Sequence, residues 1–414
     1  MMFAPFLAVA SLVGVTDSPV APSAVEAPLK FTLETRLRYE NLSEDTSGSA
    51  PQPAPEDYVL RRALVGLDWA VDANVRLLGQ LGYHDVVGQK GPINATQESG
   101  TDIQQAFVEY HTPHLRLRAG RQEMPLGSQR LISRRDGPNI RQSFDAVRFD
   151  LGTVTAFIGH PVRIGRRSFD DATNRDQTLL GLYGVFNVPQ IKGMQADLYA
   201  LRLERTAARF ANGIADEDRT SVGVRLYGVR EAFDYDLEAV VQGGTFGTQT
   251  IRAHYVSAHL GYTWAGGNAP RIALKIDQAT GDDHEGHLKT FNPLFPRGAY
   301  LDEAGRVGPT NLVRVGTYLS VKPLRMVTLV MGADGLWRNR VSDALYRQPN
   351  LPIAGTAGKG GHYTGTQAFI GATWQISPEL NLTTHVSRID IHSRLNAAGV
   401  ADTRYIGAWL GWRF

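Results

Sequence analysis

Residues 30–40 read KFTLETRLRYE. Phe31, Leu33, Thr35, Leu37 and Tyr39 share one parity, and Lys30, Thr32, Glu34, Arg36, Arg38 and Glu40 share the other. Side chains of an extended chain alternate between two faces, so this run is a strand with one apolar and one strongly charged face. The alternation recurs along the chain. Ala63, Val65, Leu67 and Trp69 oppose Arg62, Gly66 and Asp68, while Val75, Leu77, Gly79, Leu81 and Tyr83 oppose Arg76, Gln80, Gly82 and His84. Phe233, Tyr235, Leu237, Ala239 and Val241 oppose Asp234, Asp236, Glu238 and Gln242, and Val313, Val315, Thr317, Leu319 and Val321 oppose Arg314, Gly316, Tyr318 and Ser320. No stretch of helical period matches these in quality.

Working outward, the pattern predicts strands over 30–40, 58–71, 74–87, 101–112, 114–122, 143–151, 153–160, 177–188, 193–205, 219–230, 233–246, 250–264, 270–280, 311–322, 325–338, 362–376, 379–392 and 402–414, eighteen in all. Their connections alternate in length. Even-numbered strands are followed by turns such as Asp72-Ala73-Asn74 and Lys322-Pro323-Leu324; odd-numbered ones are mostly followed by long loops, the longest from Gly281 to Thr310, with Gly247 to Gln249 an exception. Short turns on one rim and long loops on the other belong to an all-β, antiparallel transmembrane barrel of the bacterial outer membrane. Strands of about 9 to 14 residues are long for a soluble sheet and suit a tilted crossing of hydrocarbon. In lipid the sheet must close, and an even strand count leaves both termini in the periplasm. Ile406, Ala408, Leu410, Trp412 and Phe414 carry the alternation to the last residue. Outer-membrane barrels typically end this way, which makes the barrel-assembly machinery, acting through Phe414, and outer-membrane lipid the expected partners.

Composition narrows the alternatives. The 414 residues are 43% hydrophobic with a net charge of +2, and mean hydropathy is −0.22. A helical membrane protein needs apolar runs of about 18 residues, whereas the one long apolar stretch here runs from Phe3 to Val15. That stretch reads as the core of an export signal over residues 1–27, with Val25-Glu26-Ala27 as a small-x-small cleavage site, although no Lys or Arg precedes it. Residues 28–414 then form a single barrel domain, with the Pro- and Ala-rich segment Ser47 to Glu56 as a mobile outer loop. The absence of cysteine excludes disulfide frameworks and thiolate metal sites, and fits an oxidising compartment. Of the 43 basic residues 36 are arginine. A high-GC genome would give the same ratio, so placement decides whether it has a structural meaning.

Two motifs carry a family resemblance. The first is Gly120-Arg121-Gln122, then Gly127, Gln129-Arg130-Leu131-Ile132, Asn139 and Ser143-Phe144-Asp145; the second is Thr280-Gly281-Asp282, then Phe291-Asn292-Pro293-Leu294-Phe295-Pro296, Tyr300 and Asn311-Leu312. With the strand rhythm, they make the chain from about residue 30 onward resemble the alginate export family of outer-membrane barrels. It departs from the family pattern at Glu123-Met124-Pro125-Leu126 and at Thr280, where Ser is more usual. The resemblance implies an eighteen-stranded channel and makes Arg121 and Arg130 candidates for its constriction. Many relatives occur in bacteria that make no alginate, so the resemblance does not fix the substrate.

Parity places Arg36, Arg38, Arg62, Arg76, Arg116, Arg118, Arg148, Arg225, Lys275, Arg314 and Arg338 on the charged face, and leaves Arg121 ambiguous. A lipid-facing arginine at mid-membrane costs about 2–4 kcal/mol, so that face turns to the lumen or the rims. Glu34, Glu40, Asp68, Asp150, Asp234, Asp236, Glu238, Asp277 and Asp334 share it. The guanidinium groups either brace the wall in arginine–carboxylate ladders or offer an anion a chain of replaceable partners. Tyr83, Tyr318 and Trp409 are candidate stacking surfaces, with membrane-interface belts as the alternative. The expected function is passive, selective passage of anionic polysaccharide such as alginate, or of related saccharides and solutes, without cofactor, metal or nucleic acid. A general or small-anion porin is the alternative on the same fold. Asp282, Asp283, His284 and His287 match no tight zinc spacing, and Asp282, His284 and His287 are the only visible support for an outer-membrane enzyme. Gly355 to Gly361 lacks the Lys-Ser/Thr of a phosphate loop and reads as outer loop.

Overall fold

The alternating runs fold into long strands: β1 (Leu29–Ser43), β2 (Glu56–Ala70), β3 (Val75–Val87), β4 (Gly100–His111), β5 (Leu115–Gln122), β6 (Phe144–Leu151), β7 (Val154–Arg163), β8 (Gln177–Asn187), β9 (Met194–Phe210), β10 (Gly213–Arg230), β11 (Phe233–Phe246), β12 (Gln249–Thr263), β13 (Arg271–Ala279), β14 (Leu312–Leu324), β15 (Val327–Trp337), β16 (Tyr363–Gln375), β17 (Leu380–Ile391) and β18 (Thr403–Arg413). The computed structural model describes residues 28–43, 56–299, 301–396 and 400–414. The expected export signal, nearly all of segment 47–56, and Tyr300 lie outside the described residues.

Each strand pairs antiparallel with the next, and β18 returns to β1 from Glu34↔Arg413 to Ser43↔Arg404. The seam is completed by the last residue, where Phe414 N–H donates to the Leu33 carbonyl at 2.8 Å and Leu33 N–H donates to the Phe414 carbonyl at 3.0 Å. Closure leaves no free edge, as hydrocarbon requires.

The predicted faces hold. Phe31, Leu37, Val65, Leu77, Val241, Leu319 and Ile406 stand exposed on the outer wall, while Arg36, Arg62, Glu238 and Arg314 are buried on the inner side. Trp69, Phe149, Phe233, Trp374 and Trp412 stand exposed toward the periplasmic ends of their strands, as an aromatic girdle would. Tyr83 is also on the outer wall, its hydroxyl donating to Asp85 at 3.0 Å, so it belongs to the interface and not to a lumenal stacking surface.

One connection departs from expectation. A long loop was expected over 206–218, but β9 and β10 continue to a two-residue turn, Ala211-Asn212, with a register shift between Arg205 and Ala208. Arg209, Asp216 and Asp218 belong to the part of the hairpin toward the outer rim. Polar Arg209, Asp216 and Asp218 take the outward positions there, which removes the apolar alternation, while the inward Ala208 and Phe210 are buried and Phe210 packs edge-on against Phe246 at 5.3 Å.

The inside-outside assignment has a direct consequence. Leu319→Arg, in the middle of β14 on the outer wall, is expected to destabilise the folded barrel by about 2–4 kcal/mol. Ser320→Arg, one residue on and facing inward, is expected to cost little. Denaturant unfolding in lipid vesicles checks this, and equal losses at the two positions would contradict the assignment.

Candidate functional site

An eighteen-stranded barrel is wide enough for an aqueous channel, and here its bore is narrowed by loops that fold inward. The first runs from Glu123 to Ser143 between β5 and β6. Gly127, at φ 51°, lies where a Cβ would collide with the Tyr183 hydroxyl on β8. Ser128 donates to Glu238 at 2.8 Å, and Arg130 donates to Glu238 at 2.6 Å and to Asp236 at 3.1 Å, all on β11. Its guanidinium also lies 3.2 Å from His259 Nδ1 on β12. Six residues later the same loop meets β1 and β2. Asp136 accepts from Arg62 at 2.9 Å and from Arg141 at 2.6 Å. The carbonyls of Asp136 and Pro138 accept from Arg36 at 2.6 and 2.8 Å, and the Gly137 carbonyl accepts from Arg38 at 2.8 Å.

In the closed strand order β1 and β2 lie across the barrel from β11 and β12. Six residues reach at most about 20 Å, so long arginine side chains at both ends are what make the crossing possible. The loop is a strut across the bore. Guanidinium donors satisfy its inner carbonyls at Asp136, Gly137 and Pro138; each hydrogen bond to a charged group contributes about 1.5–3 kcal/mol.

The second motif meets the first at this strut. Ile132 forms a parallel bridge with Phe295, whose N–H donates to the Leu131 carbonyl at 2.8 Å. Phe295 packs edge-on against Phe144 at 5.1 Å, and the Arg135 guanidinium lies over its ring at 5.6 Å. Asn292 donates to Glu217 at 3.1 Å, and its N–H donates to Gln242 at 3.0 Å. Phe291 stacks on Tyr255 at 5.3 Å. Asn139 donates to the carbonyls of Arg61, Asp85 and Gln97 at 3.0, 3.2 and 2.9 Å, holding the rising end of the first loop against β2 and β3. Motifs about 160 residues apart in sequence thus form one lumenal structure.

The predicted arginines divide by what they touch. Arg36, Arg38, Arg62 and Arg130 tie the strut. Arg314 is buried against Asp277 and 3.8 Å from Asp334, bracing β13 to β15. Arg225 binds Asp236 at 2.9 Å and Asp197 at 3.2 Å. Arg338 is buried under the outer loop, donating to the carbonyls of Gly361 at 2.9 Å and Thr356 at 2.7 Å. Arg121 corrects the expectation of a lumenal position. It pairs with Asp145 at 2.8 Å, opposite it on β6, and Asp145 shares the parity of exposed Val147 and Phe149. The bulging glycine before it, Gly120 at φ 128°, packs against Ala106 and Phe107, where a Cβ would not fit.

A different group lines the periplasmic half of β2 to β6. Arg76 holds Asp68 at 2.7 Å and lies 3.7 Å from Glu109; Arg116 lies 3.8 Å from Glu109, Arg118 binds it at 2.6 Å, and Arg148 binds Asp150 at 3.0 Å. Four guanidinium groups face three carboxylates, and the side chains of Arg76 and Arg116 are 31% and 30% exposed. Lys275, on β13, places its amino group 4.0 Å over the Tyr318 ring.

Sequence reading missed Arg134, Arg135, Arg141 and Arg219. The first three sit on the strut, where parity carries no information. Arg134 is half-buried, and its guanidinium makes no hydrogen bond or ion pair among the described residues. Arg219 shares the parity of Arg225 and was open to the same test; it is fully buried, donating to Glu217 at 2.6 Å and Gln242 at 2.7 Å. The cluster after Thr280 knits outer loops together. Asp282 N–H donates to Asp343 at 2.9 Å, His284 lies 3.0 Å from Asp282 and 3.2 Å from the Ser342 carbonyl, and Lys289 binds Asp283 at 2.6 Å.

Asp136→Ala would leave the buried Arg62 and Arg141 short of a carboxylate partner and loosen the strut. Single-channel conductance is expected to rise and become noisier, with the heat-modified gel shift of the folded barrel retained. Unchanged conductance in a folded variant would contradict the strut.

The family model described as alginate export matches residues 27–408. No curated protein matches the chain. Among solved structures, a BenF-like porin from Pseudomonas fluorescens Pf-5 superposes with a TM-score of 0.64 at 10% identity, covering 93% of this chain and 98% of that one. OccAB1 of Acinetobacter baumannii gives 0.62 at 12%, covering 94% and 97%. OccK2 (OpdF) of Pseudomonas aeruginosa, in complex with glucuronate, gives 0.61 at 10%, covering 93% and 98%. At such identities the likeness is one of fold.

Proposed function

The chain belongs to the alginate export family, an outer-membrane β-barrel of channel type, and from that membership we propose passive, selective passage of anionic saccharides along a guanidinium-rich lumen. The observation that carries this reading is the wall of β2 to β6, where Arg76, Arg116, Arg118 and Arg148 outnumber Asp68, Glu109 and Asp150 and two of the four remain accessible. Conduction needs sites strong enough to attract an ion and weak enough to release it. A half-exposed guanidinium already sharing a carboxylate meets both demands, because a passing carboxylate replaces one partner with another. The buried arginines Arg36, Arg38, Arg62, Arg219 and Arg314 are bound to wall and loop, so we assign them structure. Arg76, Arg116, Arg225, Lys275 and the strut residue Arg134 are the groups we assign to the solute, while Arg148 is buried against Asp150 and braces the wall. The glucuronate held by OccK2 supports an anionic sugar as the solute class.

A polyuronate such as alginate carries one carboxylate per sugar and suits serial exchange between such groups. The inward strut favours a second reading, a porin for small anions, because it leaves a divided bore for a polymer to thread. Residues 1–27 we take as the export signal, and exposed Phe414 at the seam as the residue the assembly machinery engages.

Replacing Arg76 and Arg116 together by Ala tests the assignment. Exposed ion pairs contribute roughly 0.2–1 kcal/mol each, so current block by oligouronates is expected to weaken about two- to thirtyfold while passage of neutral oligosaccharides stays the same. Block unchanged in the double variant would overturn the assignment; block of the unaltered channel by small organic acids but not by oligouronates would favour the small-anion porin.

A further inference from the structure

The wall formed by β15 to β18 differs in kind from the guanidinium wall. Among the described residues its inward face carries two charged side chains, Asp334, which is buried, and Arg413 at the periplasmic rim. In their place is a row of rings. Tyr318 on β14 and Phe369 on β16 have centroids 5.5 Å apart, Phe369 and His385 on β17 stack at 5.3 Å with planes 18° apart, and His385 lies 6.1 Å from Tyr405 on β18. The row is built into the register: Tyr318, Gly332 and Phe369 are direct partners across β14, β15 and β16. A Cβ at Gly332 would stand 2.9 Å from Tyr318 Cδ1 and 2.7 Å from Phe369 Cε1, so glycine gives both rings room to lie over the wall.

Two properties suit this row to a ligand. Phe369 and His385 are half-exposed on the lumenal side, whereas Tyr318 and Tyr405 at either end are buried. At the Tyr318 end stands the Lys275 amino group, which makes no hydrogen bond or ion pair among the described residues. An aromatic face carries partial negative charge and attracts the positive edge of C–H bonds. Both the C–H face of a pyranose and the edge of an aromatic acid present such bonds. A neutral ring surface beside the Lys275 amino group, which rests over the Tyr318 ring near Asp277 and Asp334, fits a solute with an apolar ring and one carboxylate.

We propose that Phe369 and His385 form a stacking subsite for the ring of a cyclic carboxylate, a sugar acid or an aromatic acid, whose carboxylate faces Lys275. The subsite rests on the reading of the lumen as a solute pathway and adds ring selectivity to it. An acyclic acid of equal charge would meet the arginines but gain nothing from the row.

Bilayer recordings on the refolded full chain test this, with glucuronate, benzoate and acyclic succinate as probes. Phe369→Leu keeps the bulk of the side chain and removes the aromatic face; His385→Leu and Lys275→Gln serve as companions, each checked for the folded gel shift. In Phe369→Leu and His385→Leu, dwell times of glucuronate or benzoate are expected to shorten about three- to tenfold, as loss of an aromatic contact would give, with succinate and chloride currents unchanged; Lys275→Gln, which removes a cation of the pathway, is expected to shorten the dwell times of all three acids. Shortening confined to glucuronate identifies a sugar-acid subsite, and shortening confined to benzoate an aromatic-acid one. Dwell times of both unchanged in Phe369→Leu and Lys275→Gln, or no block of the unaltered channel by either acid, overturn the subsite. The Arg76→Ala, Arg116→Ala variant separates the two levels: if it weakens block while the ring variants do not, the subsite fails and the pathway stands; if neither does, the pathway fails too.

Discussion

Hydrocarbon offers no hydrogen bonds, and every other feature of this molecule answers to that. Backbone groups must pair, so the sheet closes from β1 to β18. Charged side chains cannot face lipid, so alternation drives them into the bore, where Arg36, Arg38, Arg62, Arg118 and Arg314 crowd with carboxylates. The near-neutral net charge follows from this crowding, since a bore lined by one sign alone would repel itself. The arginine bias thus has a structural origin: the planar fork suits bidentate pairs such as Arg76 with Asp68 and Arg225 with Asp236.

The same guanidinium groups make the inward strut possible. A loop that enters the bore brings carbonyls that must find donors, and Arg36 and Arg38 supply them along Asp136-Gly137-Pro138. Removing the donor from such an arrangement costs about 1–3 kcal/mol, because the carbonyl is left unpaired. The buried ties therefore set where the strut sits, and the half-exposed pairs of β2 to β6 remain free to exchange partners. One residue type does both tasks, separated by burial. The β15 to β18 wall does neither, which gives the bore two chemically distinct sides.

The strands were legible in the sequence because lipid and water impose opposite demands on alternate residues, from Lys30 to Phe414. Legibility ended where that contrast ended. The hairpin end around Ala211-Asn212 turns polar residues such as Arg209 and Asp216 outward in place of apolar ones and shows no alternation. Arg121 could not be placed until its register partner Asp145 was known. The strut depends on contacts between distant residues, Arg36 with Pro138 or Leu131 with Phe295, that no local period encodes; family motifs marked the segments without revealing that they touch. Arg219 was within reach by parity, and the ring row needed the register of three strands at once.

The bore's accessible charge is basic although the whole chain is nearly neutral. The zero-current potential of the unaltered protein under a potassium chloride gradient reads that property directly. A potential of the sign set by chloride is the predicted result. A potential set by potassium would contradict the account, as would one indistinguishable from zero.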